Sequence, residues 1–452
     1  MPTECSAEQF DFGIVEGRAV EAAFDAGLVT SDAGGLLLGA TDRVIDLVDR
    51  FAACFRDRRR QDLVEHALTT LIGQRVFGIA LGYEDLNDHD DLRHDPVLAV
   101  LAGKLSSKRE TCAALAGKST LNRLELSRLQ PTRYHKIAYD EAAIEALPVT
   151  LFLEAHARPP NQIILDLDAT DDPLHGHQEG RFFHGYYDCY CYLPLYVFCG
   201  RHLLLAKLRP SDIDAAAGSV EAIERIVRQI RARWPYVRIL LRADSGFARE
   251  ALMAWCEENH VDYVFGLARN ARLVAMIKRE LAAARAAAEQ TGQPARRFKD
   301  FQWSTLGSWS RRRRVVAKAE WTQGEANPRF VVTSLKRAEA AALRGHLLRP
   351  RRDGEPDQGM PARSLCRPHL GRHHARQPVA AVVRFDGLCA DLRAAAHRPG
   401  RNRLCGRHLR HHPAQALEGR GAGAHLRTPH QDRHGLGLSS RGRLGPRRTP
   451  SG

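Results

Sequence analysis

Residues 161–170 read NQIILDLDAT, and the fold turns on how that stretch is read. It is a short apolar run bearing acids: Ile164 and Leu165 suit a buried strand, and Thr170 ends it. Asp166 and Asp168 stand two apart, so both side chains point to one face. Downstream, residues 237–243, VRILLRA, form a second strand, and Asp244 closes it just before Ser245-Gly246, where glycine takes a tight strand-to-helix turn. Two strands thus each present an acid at the carboxyl edge, where ligands collect on α/β sheets. If the strands are neighbours, Asp168 and Asp244 share a divalent metal through oxygen ligands, the arrangement that activates water and steadies a leaving oxygen in phosphoryl chemistry. A strand-end aspartate also serves as a turn residue or helix cap. The two acids alone leave both readings open.

Between the acids the pattern is regular. Residues 190–199, YCYLPLYVFC, are strand-like, and Gly200-Arg201 turns the chain into HLLLAKL, so 190–208 reads as a hairpin. Val220, Ile223, Val227 and Ile230 fall on one face of a helix that Asp214 would cap and Pro235 stops. Residues 248–259 read as a helix and 261–267, VDYVFGL, as another strand. This order describes an α/β fold with a mixed sheet flanked by helices. A strand acid, a hairpin, a helix and a second strand acid 76 positions on match the ribonuclease-H-like order.

Working outward, residues 36 to about 150 read as mainly helical, since Val44, Leu47, Val48 and Phe51 recur at helix spacing, as do Leu63, Ala67, Leu68, Leu71 and Ile72. An Ala-rich helix at about 271–289 is followed by strand-like pieces at 313–321 and 329–335, an all-β insertion beginning near 295. Three regions are expected: a helical N-terminal domain over 1–150 with a role in binding DNA ends, an α/β domain over 151–340, and a tail over 341–452.

The tail stands apart in composition. The 452-residue chain carries a formal charge of +14, yet residues 341–452 hold 22 arginines, no lysine and 7 acids, while the remainder has 45 basic and 46 acidic residues. All the excess charge sits in the last quarter. That quarter contains 15 glycines, 10 prolines and 11 of the 21 histidines, one Phe (Phe385) and no Ile, Tyr or Trp. Such a composition cannot easily build a core and is expected to be disordered. The 10 cysteines, at scattered positions such as Cys5, Cys54, Cys112 and Cys256, form no disulfide framework and predict free thiols in a reducing cytoplasm. The N-terminus lacks a basic stretch followed by an apolar one, and no run of about 18 apolar residues occurs. Neither secretion nor membrane spanning is expected.

Four long motifs carry a family resemblance: SDAGGLLLGATDR at 31–43, GYEDLNDHDDLRHDP at 82–96, LDLDATDDPLHGHQEGRFFHGYYDCYCYLPLYVFCG at 165–200 and LRADSGFARE at 241–250. The chain resembles the bacterial insertion-sequence transposases of the group numbered thirteen-eighty, within the DDE class, over roughly residues 10 to 335. The resemblance implies a ribonuclease-H-like catalytic domain interrupted by a β insertion, Mg²⁺ or Mn²⁺ as cofactor, and cut-and-paste DNA cleavage with strand transfer. It further implies DNA partners (the element's terminal repeats and the target), a homodimer on DNA, and a bacterial, nucleoid-associated location. Asp168, in its Asp-x-Thr context, would be the first acid and Asp244 the second, with Asp166 a weaker candidate ligand. Members place a third acid, a Glu, on a helix after the β insertion within a Tyr…Arg…Glu…Lys pattern. Here no Tyr or Lys occurs after residue 340, and Glu355 lies between Gly354 and Pro356, poor context for a helix. A tail rich in Arg, Gly, Pro, Ala and His is what a GC-rich gene yields out of frame, so a frameshift between about 336 and 345 and a cleavage-deficient chain are expected. A noncatalytic DNA-binding inhibitor of transposition is the alternative.

Weaker signals complete the reading. Lys118 and Arg123, in KSTLNRL with Ser119 as cap, suit either a recognition helix for DNA ends or a plain bundle helix. Arg311, Arg312, Arg313 and Arg314 form a basic run that suits phosphate contact or a solvated loop. His184-Gly185-Tyr186-Tyr187 either touches DNA or an extruded base by stacking or packs beside the hairpin. Cys366, His369, His373 and His374 have zinc-compatible spacings, in a segment so rich in His that chance explains them.

Overall fold

The computed structural model describes residues 9–15, 18–23, 30–104, 114–177, 180–322 and 324–336. Gln9–Val15 (β1) and Arg18–Ala23 (β2) pair antiparallel, with a register shift between Asp11 and Ile14.

From residue 30 helices dominate: Gly35–Ile45 (α1), Leu47–Ala52 (α2), Leu68–Leu81 (α3), His89–Leu92 (α4), Pro96–Leu101 (α5) and Lys118–Glu125 (α6). Phe55–Asp57 (β3) and Ile137–Tyr139 (β4) add a short antiparallel pair. Leu47, Val48, Phe51, Leu71 and Ile72 are buried in one core, as their spacing requires. Val44 and Leu63 are exposed instead. Leu63 belongs to a separate 3₁₀ turn, Gln61–Leu63, because α3 starts only at Leu68. Inside this core Arg75 and Glu125 form an ion pair with both side chains fully out of solvent. Arg75 also donates to the carbonyls of Tyr83 and Glu84, so the guanidinium trades water for three fixed acceptors. Gln74 accepts from and donates to the backbone of Ala116, pinning the segment before α6 to α3.

Glu141–Glu154 (α7) connects the two parts. Asp140 caps it by accepting from the Ala143 amide, and Pro148 lies inside it. Ile144 and Leu147 join the helical core, whereas Val149, Phe152 and Leu153 join the core of the sheet. Residue 150, where the texture of the sequence changes, is therefore inside a helix that serves both.

The sheet is built from Gln162–Ala169 (β5), Leu195–Cys199 (β9), His202–Lys207 (β10), Arg238–Ala243 (β11) and Asp262–Leu267 (β12), extended by Ala295–Trp303 (β13), Arg313–Thr322 (β14), Glu325–Ala326 (β15) and Arg329–Thr333 (β16). Its order is β10-β9-β5-β11-β12-β16-β14-β13, with β15 paired to β14. Strands β5, β11 and β12 run parallel, and β9 and β16 flank them antiparallel. A separate small sheet, in the order β6-β8-β7, is formed by Asp172–Pro173 (β6), Phe182–His184 (β7) and Cys189–Tyr192 (β8). The expected hairpin is thus β9–β10, turned at Gly200, which has φ +60, while residues 190–192 belong to the small sheet. The strands expected after the Ala-rich helix do not form a body of their own but continue the central sheet through β16 and β12.

Ser219–Arg233 (α8) covers one sheet face with Ile223, Val227 and Ile230 as read from spacing, joined by Ala222 and Ile226. Asp214 does not cap it: the helix begins at Ser219 after Gly218 in the left-handed region (φ +72). Asp214 accepts from the Ala216 amide and pairs with Arg249 instead. Glu250–Glu258 (α9) follows β11. The Ala-rich stretch is two helices, Ala271–Met276 (α10) and Lys278–Thr291 (α11), broken at Ile277, whose side chain is fully buried. Among the described residues, Cys54, Cys189, Cys191, Cys199 and Cys256 are free thiols, and no helix is long and apolar enough to cross a membrane.

Removing one member of a buried ion pair strands the other charge. Glu125→Gln should therefore lower the stability of the helical layer by about 3 kcal/mol, measurable as a shift in the urea unfolding midpoint.

Candidate active site

Alternation sorts the side chains of β5 and β11. Ile163, Leu165, Leu167 and Ala169 on β5, and Ile239, Leu241 and Ala243 on β11, enter the core under α8 and α9. Ile164 and Leu240 face the other way, into a small cluster with Val264 and Leu335. Asp166, Asp168, Arg242 and Asp244 share that second face by the same period of two. In the parallel register Arg242 lies beside Asp166 and Ala243 beside Leu167. Asp244 still has extended backbone (φ −76, ψ −170), so the next step along the register carries it alongside Asp168.

The three acids differ in their surroundings. Asp166 is buried and both its oxygens accept from the guanidinium of Arg242, Oδ2 at 2.8 Å. That bidentate pairing balances its charge and occupies one acceptor site on each oxygen. Asp168 is half-buried and Asp244 is exposed. Asp244 Oδ1 accepts from the Gly246 amide at 2.8 Å, which holds the turn into the 3₁₀ segment Ser245–Phe247. Phe247 anchors the turn in the core with no exposed surface.

Two glycines let this turn sit where it does. A Cβ on Gly266 of β12 would meet Ser245 N at 2.9 Å and Asp244 C at 3.1 Å, so the strand next to β11 has no side chain where the Asp244 backbone passes. A Cβ on Gly246 would meet Ala215 Cβ at 3.2 Å, from the loop between β10 and α8. That loop is tied down by Arg209, which is 6% exposed and donates to the carbonyls of Leu193, Ala215 and Ala217. Burial lowers the Arg209 pKa to about 10, and its Nη2 has no hydrogen-bond partner. Arg249, at the start of α9, reaches back to Asp214 in the same loop at 2.8 Å.

Further acid surrounds the site. Burial raises the Tyr187 hydroxyl to about 12, and the charges of Asp171, Asp244 and Asp168 all act in the same direction. The phenol is thus within electrostatic reach of both strand-end acids. Asp172, on β6, is pushed up to about 6 by burial and by Asp171, and its Oδ2 has no hydrogen-bond partner. Asp171, Asp172, Arg209 and Gly266 were not singled out from the sequence. Signals existed for some: LDLDATDD packs four acids into eight residues, and an isolated glycine within a strand marks a close backbone approach. Arg209 offered none, since its acceptors are backbone carbonyls. Among the described residues no group of three or more His, Cys, Asp or Glu side chains is arranged to hold a metal ion.

The basic candidates for DNA contact fare unevenly. Lys118 opens α6 and is exposed, paired with Asp90 at 3.1 Å. Asp90 Oδ1 also accepts from the Lys118 amide. The helix start is therefore served by Asp90, 28 positions upstream, and not by Ser119. Arg123 is exposed, with Nε bonded to the Ser119 carbonyl. The arginine run is not a free basic patch. Arg313 is 4% exposed and lies between Glu250 and Glu257 of α9, with which it makes four hydrogen bonds. Arg313 holds Glu250 down to about 2. Arg311 pairs with Glu257, Arg314 with Asp300 and the Leu335 carbonyl, and Arg312 with the Gln302 carbonyl. Their first job is to fasten β14 to α9 and β13. Glu355 and the four zinc-spaced residues of the tail lie outside the described residues.

Taken together, the fold is a mixed α/β one. Residues 12–356 match the family described as transposase DDE domain group 1, and the chain belongs to that family. A solved piggyBac transposase synaptic complex with hairpin DNA is similar at 9% identity and a TM-score of 0.36, covering 83% of this chain and 84% of the other. No curated protein matches the chain.

Two outcomes follow. Gly266→Ala forces backbone apart at the Asp244–Ser245 peptide and should cost about 1–3 kcal/mol, read as a lower thermal midpoint. Asp172 binds its proton more tightly folded than unfolded. Its contribution therefore turns unfavourable as pH rises from about 4 towards 6 and stays so above. Asp172→Asn should gain on the parent by roughly 3 kcal/mol at pH 7.5, with the gap closing below pH ~4. A pH series of urea unfolding curves measures it.

Proposed function

We propose that this chain is a DDE-class transposase of a bacterial insertion sequence in the group numbered thirteen-eighty, with a ribonuclease-H-like catalytic sheet. One observation carries the reading: β5 and β11 are parallel neighbours in the order β10-β9-β5-β11-β12, and their carboxyl ends carry Asp168 and Asp244 on one face. Family membership agrees with it. Asp168 and Asp244 are the metal-binding acids of this reading. Both offer hard oxygen donors, which suit Mg²⁺ or Mn²⁺, and such ions commonly rely on one or two carboxylates plus substrate phosphate. When bound, the ion supplies Lewis-acid stabilisation of the attacking and leaving oxygens in phosphoryl transfer. The protein's part is to hold Asp244 by the Gly246 amide, to keep Asp166 neutralised by Arg242, and to pack the turn on Gly266.

The chain is cleavage-deficient in this reading. Two-metal displacement needs ligands for both ions, and residues after 340 contain no Tyr or Lys to complete the segment that carries a third acid. A shifted reading frame between about 336 and 345 accounts for the composition of the tail. The chain then binds element ends and target DNA, with the helical layer, through Lys118 and Arg123, as the end-binding part. Exposure of both side chains supports this. It assembles as a homodimer on DNA in the bacterial nucleoid. Binding without cleavage would also make it an inhibitor of intact enzyme.

The test uses duplexes bearing the element's ends, with Mg²⁺ or Mn²⁺. The expected result is a gel shift without nicking for this chain, and nicking once the downstream frame is restored. In the restored protein, Asp168→Asn and Asp244→Asn should each reduce nicking more than about 100-fold, beyond what loss of a supporting contact does. Turnover by the present chain would remove the deficiency. Retained nicking in the aspartate variants would remove the site.

A further inference from the structure

We propose that the small sheet formed by β7 and β8 is a stacking platform for unpaired nucleobases of a DNA strand held at the acids, a proposal that rests on the transposase reading above. The sheet follows directly on β5 and its acids in the chain, and its outer surface is unusual. Phe183 and Tyr190 face each other across the two strands, their rings 5.5 Å apart at 72°. They remain 53% and 47% exposed. Arg181 lies two positions before Phe183, on the same face, and its guanidinium sits 4.6 Å from the centre of the Tyr190 ring. Phe182 is exposed on the opposite face, and Tyr186, at the turn between the strands, is 86% exposed.

Four large aromatic side chains exposed within nine residues are costly in water and mark a contact surface. The chemistry of the surface selects the occupant. Flat rings accept any base face, and the Arg181 guanidinium, held beside them by bonds to the Gly176 carbonyl and His177 Nδ1, adds positive charge; the combination holds single strands without sequence readout. A paired base cannot use such a platform, because both its faces are covered in the duplex. The platform is tied to the core of the central sheet through Tyr187, which lies against His184 of β7 at 4.8 Å and packs on that core. Tyr186 packs edge-on against Tyr187 at 5.0 Å, and Tyr187 lies within the field of Asp168 and Asp244. A strand whose phosphodiester lies at the acids thus has an aromatic surface beside it for the bases that leave the duplex. Asp188, in the left-handed region at the same turn (φ +54), is exposed.

The test uses the full chain without divalent metal, so that cleavage plays no part. Single-stranded DNA carrying 2-aminopurine, the same strand with abasic sites, and a blunt duplex are titrated against the parent and Phe183→Ala/Tyr190→Ala. Both residues are on the surface, and far-UV circular dichroism checks that the variant folds. The variant should bind the single strand about tenfold more weakly and lose the quenching of 2-aminopurine, with duplex affinity changed less than about twofold. The abasic strand should bind the parent as weakly as the normal strand binds the variant. Arg181→Gln should weaken strand binding while the quenching at saturation survives. Equal single-strand affinity in parent and variant, or no preference of the parent for bases over abasic sites, would overturn the proposal and leave the patch to a protein partner. Duplex binding and frame-restored nicking report on the transposase reading separately.

Discussion

The structure depends on the register between β5 and β11. A parallel pair has one face for the core and one for chemistry only if every side chain keeps its parity, and a slip of a single residue would send Asp168 or Asp244 under α8. Two features hold the register. On the core side, Leu165, Leu167, Leu241 and Ala243 are buried against α8 and α9. On the other side, the bidentate contact from Arg242 to Asp166 is satisfied only when these two residues are neighbours. The ion pair thus acts as a key for the strands, one step behind the acids, while removing from the site a carboxylate that would otherwise repel them.

Around that register the support is mostly backbone. The Gly246 amide fixes Asp244, Gly266 leaves room for it, and Arg209 holds the neighbouring loop by three carbonyls. Side-chain charges do their work further out. Arg313 between Glu250 and Glu257 joins the sheet extension to the helix that begins just after the Asp244 turn. A buried cation with two carboxylate partners is a geometry that tolerates little displacement.

Much of this was legible in the sequence, and the reasons for success and failure are physical. Apolar periodicity located β5, β11, β12 and α8, because each is buried on at least one face. It did not resolve β13, whose charged sequence ARRFKDFQW pairs with β14 alone at the end of the sheet. It merged α10 with α11, since alanine suits both and only the buried Ile277 divides them. Arg313 within the arginine run gave no sign of being buried, because its partners, Glu250 and Glu257, are more than 50 residues away in sequence. Local charge counting cannot see a long-range pair. The positions of Asp168 and Asp244 at the ends of β5 and β11 were readable from apolar runs closed by an acid, whereas Arg209, whose acceptors are backbone carbonyls, left no such signal.

The helix α7 has a last consequence. One half of it lies in the helical core and the other in the core of the sheet, with Phe152 edge-on against Trp234 at 5.5 Å on the sheet side. A rod embedded at both ends leaves no linker to bend between the two layers. The spacing between the helical layer and the acid edge is therefore fixed by packing, and adjusting it would mean breaking a core rather than turning a joint.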